Sequence, residues 1–141
     1  MKYFTIISII KINIEIWFRK FFGLKIIPYK ALINLTDLCN SRCNFCDIWK
    51  IKPKDEITLN EITNLFKSYN KHLYWLSLSG GEITLVKYFK PMIDELVKNC
   101  KNIKILAFTT NALAVERALE YATYAKKSGL DVLVTISLDG D

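Results

Sequence analysis

Four short apolar runs, at residues 31–36, 73–78, 103–108 and 132–138, leave this chain few folds to choose from. Each is stopped by a polar cluster and separated from the next by a stretch with helical periodicity. The first such stretch opens on Thr58 with Glu61 three residues later, a capping box, and continues with Ile62, Leu65, Phe66 and Tyr69 on one side. The second carries Pro91 in the first turn of a helix running to Cys100, and the third covers 115–127 and stops at Gly129. Strands joined by crossovers of this length pair in parallel, with helices packed outside the sheet. The fold class expected is therefore α/β, and the loops after the strands should converge on one face, where such sheets place their sites.

Residues 1–30 follow a different pattern. Ile6, Ile10, Ile14, Trp17, Phe18, Phe21 and Phe22 fall on a helical stripe, although Ile10, Ile12, Ile14 and Ile16 also alternate as a strand would. The helical pattern covers more residues and predicts an amphipathic helix ending near Gly23. One reading packs its Ile and Phe side on the domain; the other lays the helix in a membrane interface with Lys and Arg on its wet side. The division expected is an N-terminal amphipathic basic segment, 1–30, and a main domain, 31–141.

Charge follows the same division. Of the formal net charge of +6, residues 1–30 hold +5, six basic residues against Glu15, which leaves +1 for the other 111. A main body this close to neutrality argues against a nucleic-acid-binding face, and any preference for anionic partners or lipid belongs to the N-terminus. The apolar run at 3–10 has no small-residue cleavage site behind it, and Lys11 and Glu15 interrupt it well before the ~20 apolar residues of a membrane span. A reducing cytoplasm is the expected location.

Chemistry concentrates in the strand-end loops. Cys39, Cys43 and Cys46 place three thiols inside eight residues directly after the first strand. Three thiolates at spacings of four and three reach three corners of one metal centre and leave the fourth open. A structural zinc site needs a fourth protein ligand, and His72 and Cys100 lie on later elements with no paired spacing. An iron–sulfur cube suits three thiolates better, its free iron open to a bidentate ligand. Phe45, between the second and third thiols, reads as a packing residue, as a shield for the cluster or as a surface for a flat ligand ring. Gly80 and Gly81 allow either a tight turn or close approach of a ligand to the backbone, and Glu82 is either a surface acid or an acceptor for a cationic amine. Thr109, Thr110 and Asn111 follow the third strand, and Ser137 and Asp139 close the fourth; both groups suit a polyhydroxyl ligand or plain turn chemistry. Cys100 reads as a half-buried free thiol, His72 as a loop residue before the second strand, and Trp17, Trp49 and Trp75 as packing residues.

Taken together, Cys-x3-Cys-x-aromatic-Cys, Gly-Gly-Glu, Thr-Thr-Asn and Ser-Leu-Asp-Gly after four successive strands resemble the radical S-adenosylmethionine (radical SAM) superfamily over residues 31–141. The resemblance implies a partial parallel (β/α) barrel of about four strand-helix units, preceded here by the N-terminal helix. It implies a [4Fe-4S] cluster on Cys39, Cys43 and Cys46, with S-adenosyl-L-methionine chelating the fourth iron. Gly80, Gly81 and Glu82 would receive the SAM amine; Phe45, Asn111, Ser137 and Asp139 would contribute further SAM contacts. The reaction implied is one-electron cleavage of SAM to a 5'-deoxyadenosyl radical that takes a hydrogen from a small-molecule or peptide substrate, with an electron donor as partner. Where relatives carry Pro after Gly-Gly-Glu, Ile83 stands here. Relatives also build six strand-helix units, so the expectation is an incomplete core with residues 132–138 as an exposed apolar edge. It is either the N-terminal part of an enzyme or a non-catalytic cluster- or partner-binding remnant.

Overall fold

The computed structural model describes residues 2–138, so Asp139 lies outside the described residues. Eight main elements follow in order: α1 (Lys2–Phe21), β1 (Lys30–Asn34), α2 (Leu59–Tyr69), β2 (Trp75–Ser79), α3 (Phe89–Asn99), β3 (Ile105–Thr110), α4 (Val115–Lys127) and β4 (Asp131–Ile136). The four strands form one parallel sheet in the order β1-β2-β3-β4. Successive neighbours joined by crossovers of one hand put every connecting helix on the same face, the arrangement of a barrel wall.

The core lies between that face and the helices. Alternate residues point into it: Ala31 and Ile33 from β1, Leu76 and Leu78 from β2, and Leu106 and Phe108 from β3 are all buried. Ile62 and Phe66 of α2 and Phe89, Met92, Ile93 and Leu96 of α3 meet them. Phe89 stacks on Tyr121 at 4.1 Å between ring centroids and meets Phe108 edge-on at 5.9 Å. On the opposite face a row formed by Leu32, Ser77, Ala107 and Leu133 runs across the strands in register. Small residues in its middle suit the inner, concave side of a curved sheet.

Local signals account for the boundaries. Thr58 caps α2 as expected: its hydroxyl accepts from the Glu61 amide at 3.3 Å, and the Glu61 carboxylate accepts from the Thr58 amide at 2.8 Å. Gly23 and Gly129 both adopt positive φ, 64° and 91°, just past the ends of α1 and α4. β2 and β3 end one and two residues beyond their apolar runs, because the ladder continues through polar residues: Asn34 pairs with Ser79, and Thr109 and Thr110 pair with Thr135 and Ile136, whereas β1 and β4 each stop two residues short of theirs. Along β4 the side chains are largely exposed, with Leu133 and Ile136 each 52% accessible, and among the described residues β4 pairs with β3 alone.

Several residues differ from their expected settings, and Trp17, read as a packing residue, is 65% exposed on α1. Cys100 is buried rather than half-buried, its thiol 3.5 Å from the Phe66 carbonyl. His72 is not a bare loop residue: its Nδ1 lies 3.2 Å from the Glu15 carboxylate, beneath α1. There Ile12, Ile16 and Arg19 of α1 share a crevice with Tyr29, His72 and Tyr74. No helix among the described residues is long and apolar enough to cross a membrane.

Candidate cofactor site

The polar strand ends converge as the parallel topology requires. Cys39, Cys43, Cys46 and Phe45 from the loop after β1, Gly80 and Gly81 after β2, Thr109, Thr110 and Asn111 at the end of β3, and Ser137 after β4 surround one pocket of about 250 Å³. Ser41, Ile48 and Ser79 complete its wall.

The first contribution of the glycines is to seat the cysteine loop. The Gly81 amide donates to the Thr36 carbonyl and the Glu82 amide to the Leu38 carbonyl, both at 2.7 Å. A Cβ on Gly81 would stand 2.1 Å from the Leu38 carbonyl oxygen, and one on Gly80 would stand 2.5 Å from that of Thr36. Gly80 also has φ of 149°, a conformation that side chains rarely adopt. The turn after β2 is thus pressed against the three residues that lead into Cys39, which only glycine allows.

Glu82 sits behind this turn, 1% exposed and outside the pocket lining. Its Oε1 accepts from the Thr84 amide at 3.0 Å, the Thr84 hydroxyl at 2.8 Å and the Thr110 hydroxyl at 2.7 Å; its Oε2 accepts from the Asn111 amide at 2.8 Å. Burial alone would push this carboxyl up, but the Asn111 and Thr84 amides and the two hydroxyls outweigh it and hold its pKa below the usual carboxylate value. In this arrangement the carboxylate clamps the end of β3 to the end of β2. Asn111 extends the clamp, its side-chain amide donating to Asn40 at 2.8 Å inside the cysteine loop.

The loop has further anchors that its sequence does not advertise. Glu56 accepts from the Thr36 hydroxyl at 2.5 Å and the Asp37 amide at 3.0 Å, which fixes the exit from β1. Ser41 meets two sulfurs: its amide lies 3.5 Å from the Cys39 thiol, and its hydroxyl 3.3 Å from that of Cys43. Only Ser41, by its place inside the motif, offered a signal in the sequence; Glu56 is brought in by the fold.

Cys39 and Cys43 are half-buried and Cys46 is exposed. Phe45 is fully exposed on the pocket rim, so it has no packing role, and Ser137, on the same pocket, is also exposed. Among the described residues, no three His, Cys, Asp or Glu side chains stand close enough together to hold a metal ion as they are. The donor set nevertheless suits an iron–sulfur cluster: three thiols line one pocket from one loop, with hydrogen-bond donors beside the sulfurs. His72 and Cys100, the other zinc-ligand candidates, are engaged elsewhere, with Glu15 and with the Phe66 carbonyl.

Comparison with known proteins bears on the same residues. GTP 3',8-cyclase of Pasteurella multocida is 34% identical over 116 residues, covering 79% of this chain and 33% of that protein. The GTP 3',8-cyclase of Alkaliphilus oremlandii is 36% identical over 112 residues, covering 76% and 33%. The chain thus spans about a third of the length of these relatives. Among solved structures, the crystal structure of BtrN in an open conformation superposes with a TM-score of 0.56 over 80% of this chain and 58% of that one, at 13% identity, a likeness of fold. The model of the Radical SAM superfamily matches residues 33–141, from the end of β1 through the other three strands with the loops between them, and the chain belongs to that superfamily.

Proposed function

We propose that the chain binds a [4Fe-4S] cluster through Cys39, Cys43 and Cys46 and holds SAM against it, as part of a radical SAM enzyme. The observation that carries this reading is the convergence of the three thiols, the Gly80–Gly81 backbone, Asn111 and Ser137 on one pocket. When bound, the cluster with SAM supplies one-electron cleavage of the SAM carbon–sulfur bond to a 5'-deoxyadenosyl radical that takes hydrogen from a substrate. This chain's residues cradle and orient. The thiolates of the β1 loop hold three irons, and the Ser41 amide and hydroxyl offer hydrogen bonds to their sulfurs, which tune such a centre. The Gly80–Gly81 backbone, on the pocket wall, receives the SAM amine; Glu82 acts through that turn by fixing its position. Asn111, Ser137 and Asp139 take the carboxylate and ribose, and the Phe45 ring, bare on the rim, lies against the adenine or covers the cluster from water. A one-electron donor and a substrate, small molecule or peptide, complete the system. The relatives named for an activity on GTP match this chain over about a third of their length, so the match supports the chemistry rather than the substrate.

Anaerobic reconstitution with iron and sulfide tests the reading. The chain is expected to take up about four irons, with Cys39→Ala losing most of them. Iron content in that variant equal to wild type contradicts it. Release of 5'-deoxyadenosine distinguishes a chain that cleaves SAM by itself from one that holds the cluster without turnover.

A further inference from the structure

The α1 helix is held to the domain by one narrow side. At this seam Ile12 and Ile16 turn inward, and Glu15, which accepts from Arg19 of the same helix at 2.9 Å, faces His72 of the main body at 3.2 Å. At ~100° per residue, Ile6, Ile7, Ile10, Ile14, Phe18 and Phe21 fall, with Trp17, on an unbroken arc of about 120°. That arc points away from the seam. Every one of these side chains is at least half exposed, reaching 65% at Trp17 and 70% at Phe21. Trp17 and Phe21 stack at 5.5 Å, which makes a flat aromatic plate in the middle of the bare side.

We propose that this face of α1 is a lipid-docking surface that seats the chain on an anionic bilayer, the helix lying in the interface plane. Charge selects this occupant. Lys11 borders the arc on one flank and Lys20 on the other, each placed to bury its stem beside the acyl boundary and reach phosphate with its ammonium. Residues 1–30 carry +5 where the rest of the chain carries +1, so attraction to anionic headgroups is concentrated at the apolar face. The apolar surface continues past the helix end through Phe22, Leu24 and Ile26, all exposed, with Lys25 between the last two. The helix is too polar to span. Seated this way it holds the sheet at the membrane surface, because its opposite side is fixed to Tyr29, His72 and Tyr74.

The test is flotation of the full chain with vesicles of phosphatidylcholine alone or with about 30% phosphatidylserine. Binding is expected to the anionic vesicles and to weaken with salt. Ile14→Asp with Phe21→Asp should reduce it at least about tenfold, as should Lys11→Glu with Lys20→Glu. These side chains are exposed, so circular dichroism and the melting transition should stay at wild-type values. Equal binding to both vesicle types, or binding unchanged in either variant, overturns the proposal. So does a dimer in sedimentation that dissociates in Ile14→Asp with Phe21→Asp while vesicles stay unbound, since the face then serves a second copy.

Discussion

Glu82 and Cys100 are buried groups whose environment sets their chemistry. Four hydrogen bonds to the Glu82 carboxylate favour its charged form more than burial disfavours it. A carboxyl with a lower pKa folded than unfolded adds stability that is fully present above its unfolded value of about 4.3 and is lost as pH falls through the folded value. Glu82→Gln should therefore cost about 1.5–3 kcal/mol at neutral pH, and the variant should show a shallower loss of stability in acid. Urea titrations from pH 7 to pH 3 check this, and parallel curves for the two proteins contradict it. At Cys100, burial pushes the thiol up to about 11, which leaves almost no thiolate at neutral pH. Alkylation of the apo chain followed by peptide mapping should label Cys39, Cys43 and Cys46 and spare Cys100 until denaturant is added. None of this was legible from residue type. Glu82 reads as a surface acid or an amine acceptor until Thr110 and Asn111, 28 and 29 positions away, are brought to its oxygens.

Among the elements, helices were easier to read than strands. The Thr58–Glu61 capping box and the apolar spacing of α2 are local, and α2 begins at Leu59 as they require. Thr58→Ala should cost about 1 kcal/mol in thermal or urea unfolding, and no change would show that the cap is dispensable. Strand ends follow the ladder rather than hydrophobicity, so Thr109 and Thr110 read as loop but pair within β3. The face of α1 that meets the domain was also hidden, because it holds Arg19 and Glu15 beside Ile12 and Ile16. The Gly-Gly turn shows how an element serves the site: its lack of side chains brings β2's end onto the entry to Cys39. Gly81→Ala should cost roughly 1–3 kcal/mol and lower iron uptake in parallel, since the overlap is with backbone. Full stability and full uptake in that variant contradict the close approach to Leu38.

The molecule as a whole is an α/β sheet whose strand order places four polar loops around one pocket. That convergence was legible because parallel strands with helical crossovers can send their C-terminal ends only to one side. The pocket's interior geometry was not, since it depends on long-range contacts such as Asn111 to Asn40 and Thr36 to Glu56. Membership of the Radical SAM superfamily ties this arrangement to a known chemistry. Whether the three thiols hold a cluster with one iron open to SAM is read by electron paramagnetic resonance of the reduced, reconstituted chain. A [4Fe-4S] signal that changes when SAM is added and is lost in Cys39→Ala is expected. A signal unaffected by SAM, or one that survives replacement of Cys39, Cys43 and Cys46 together, would contradict that assignment.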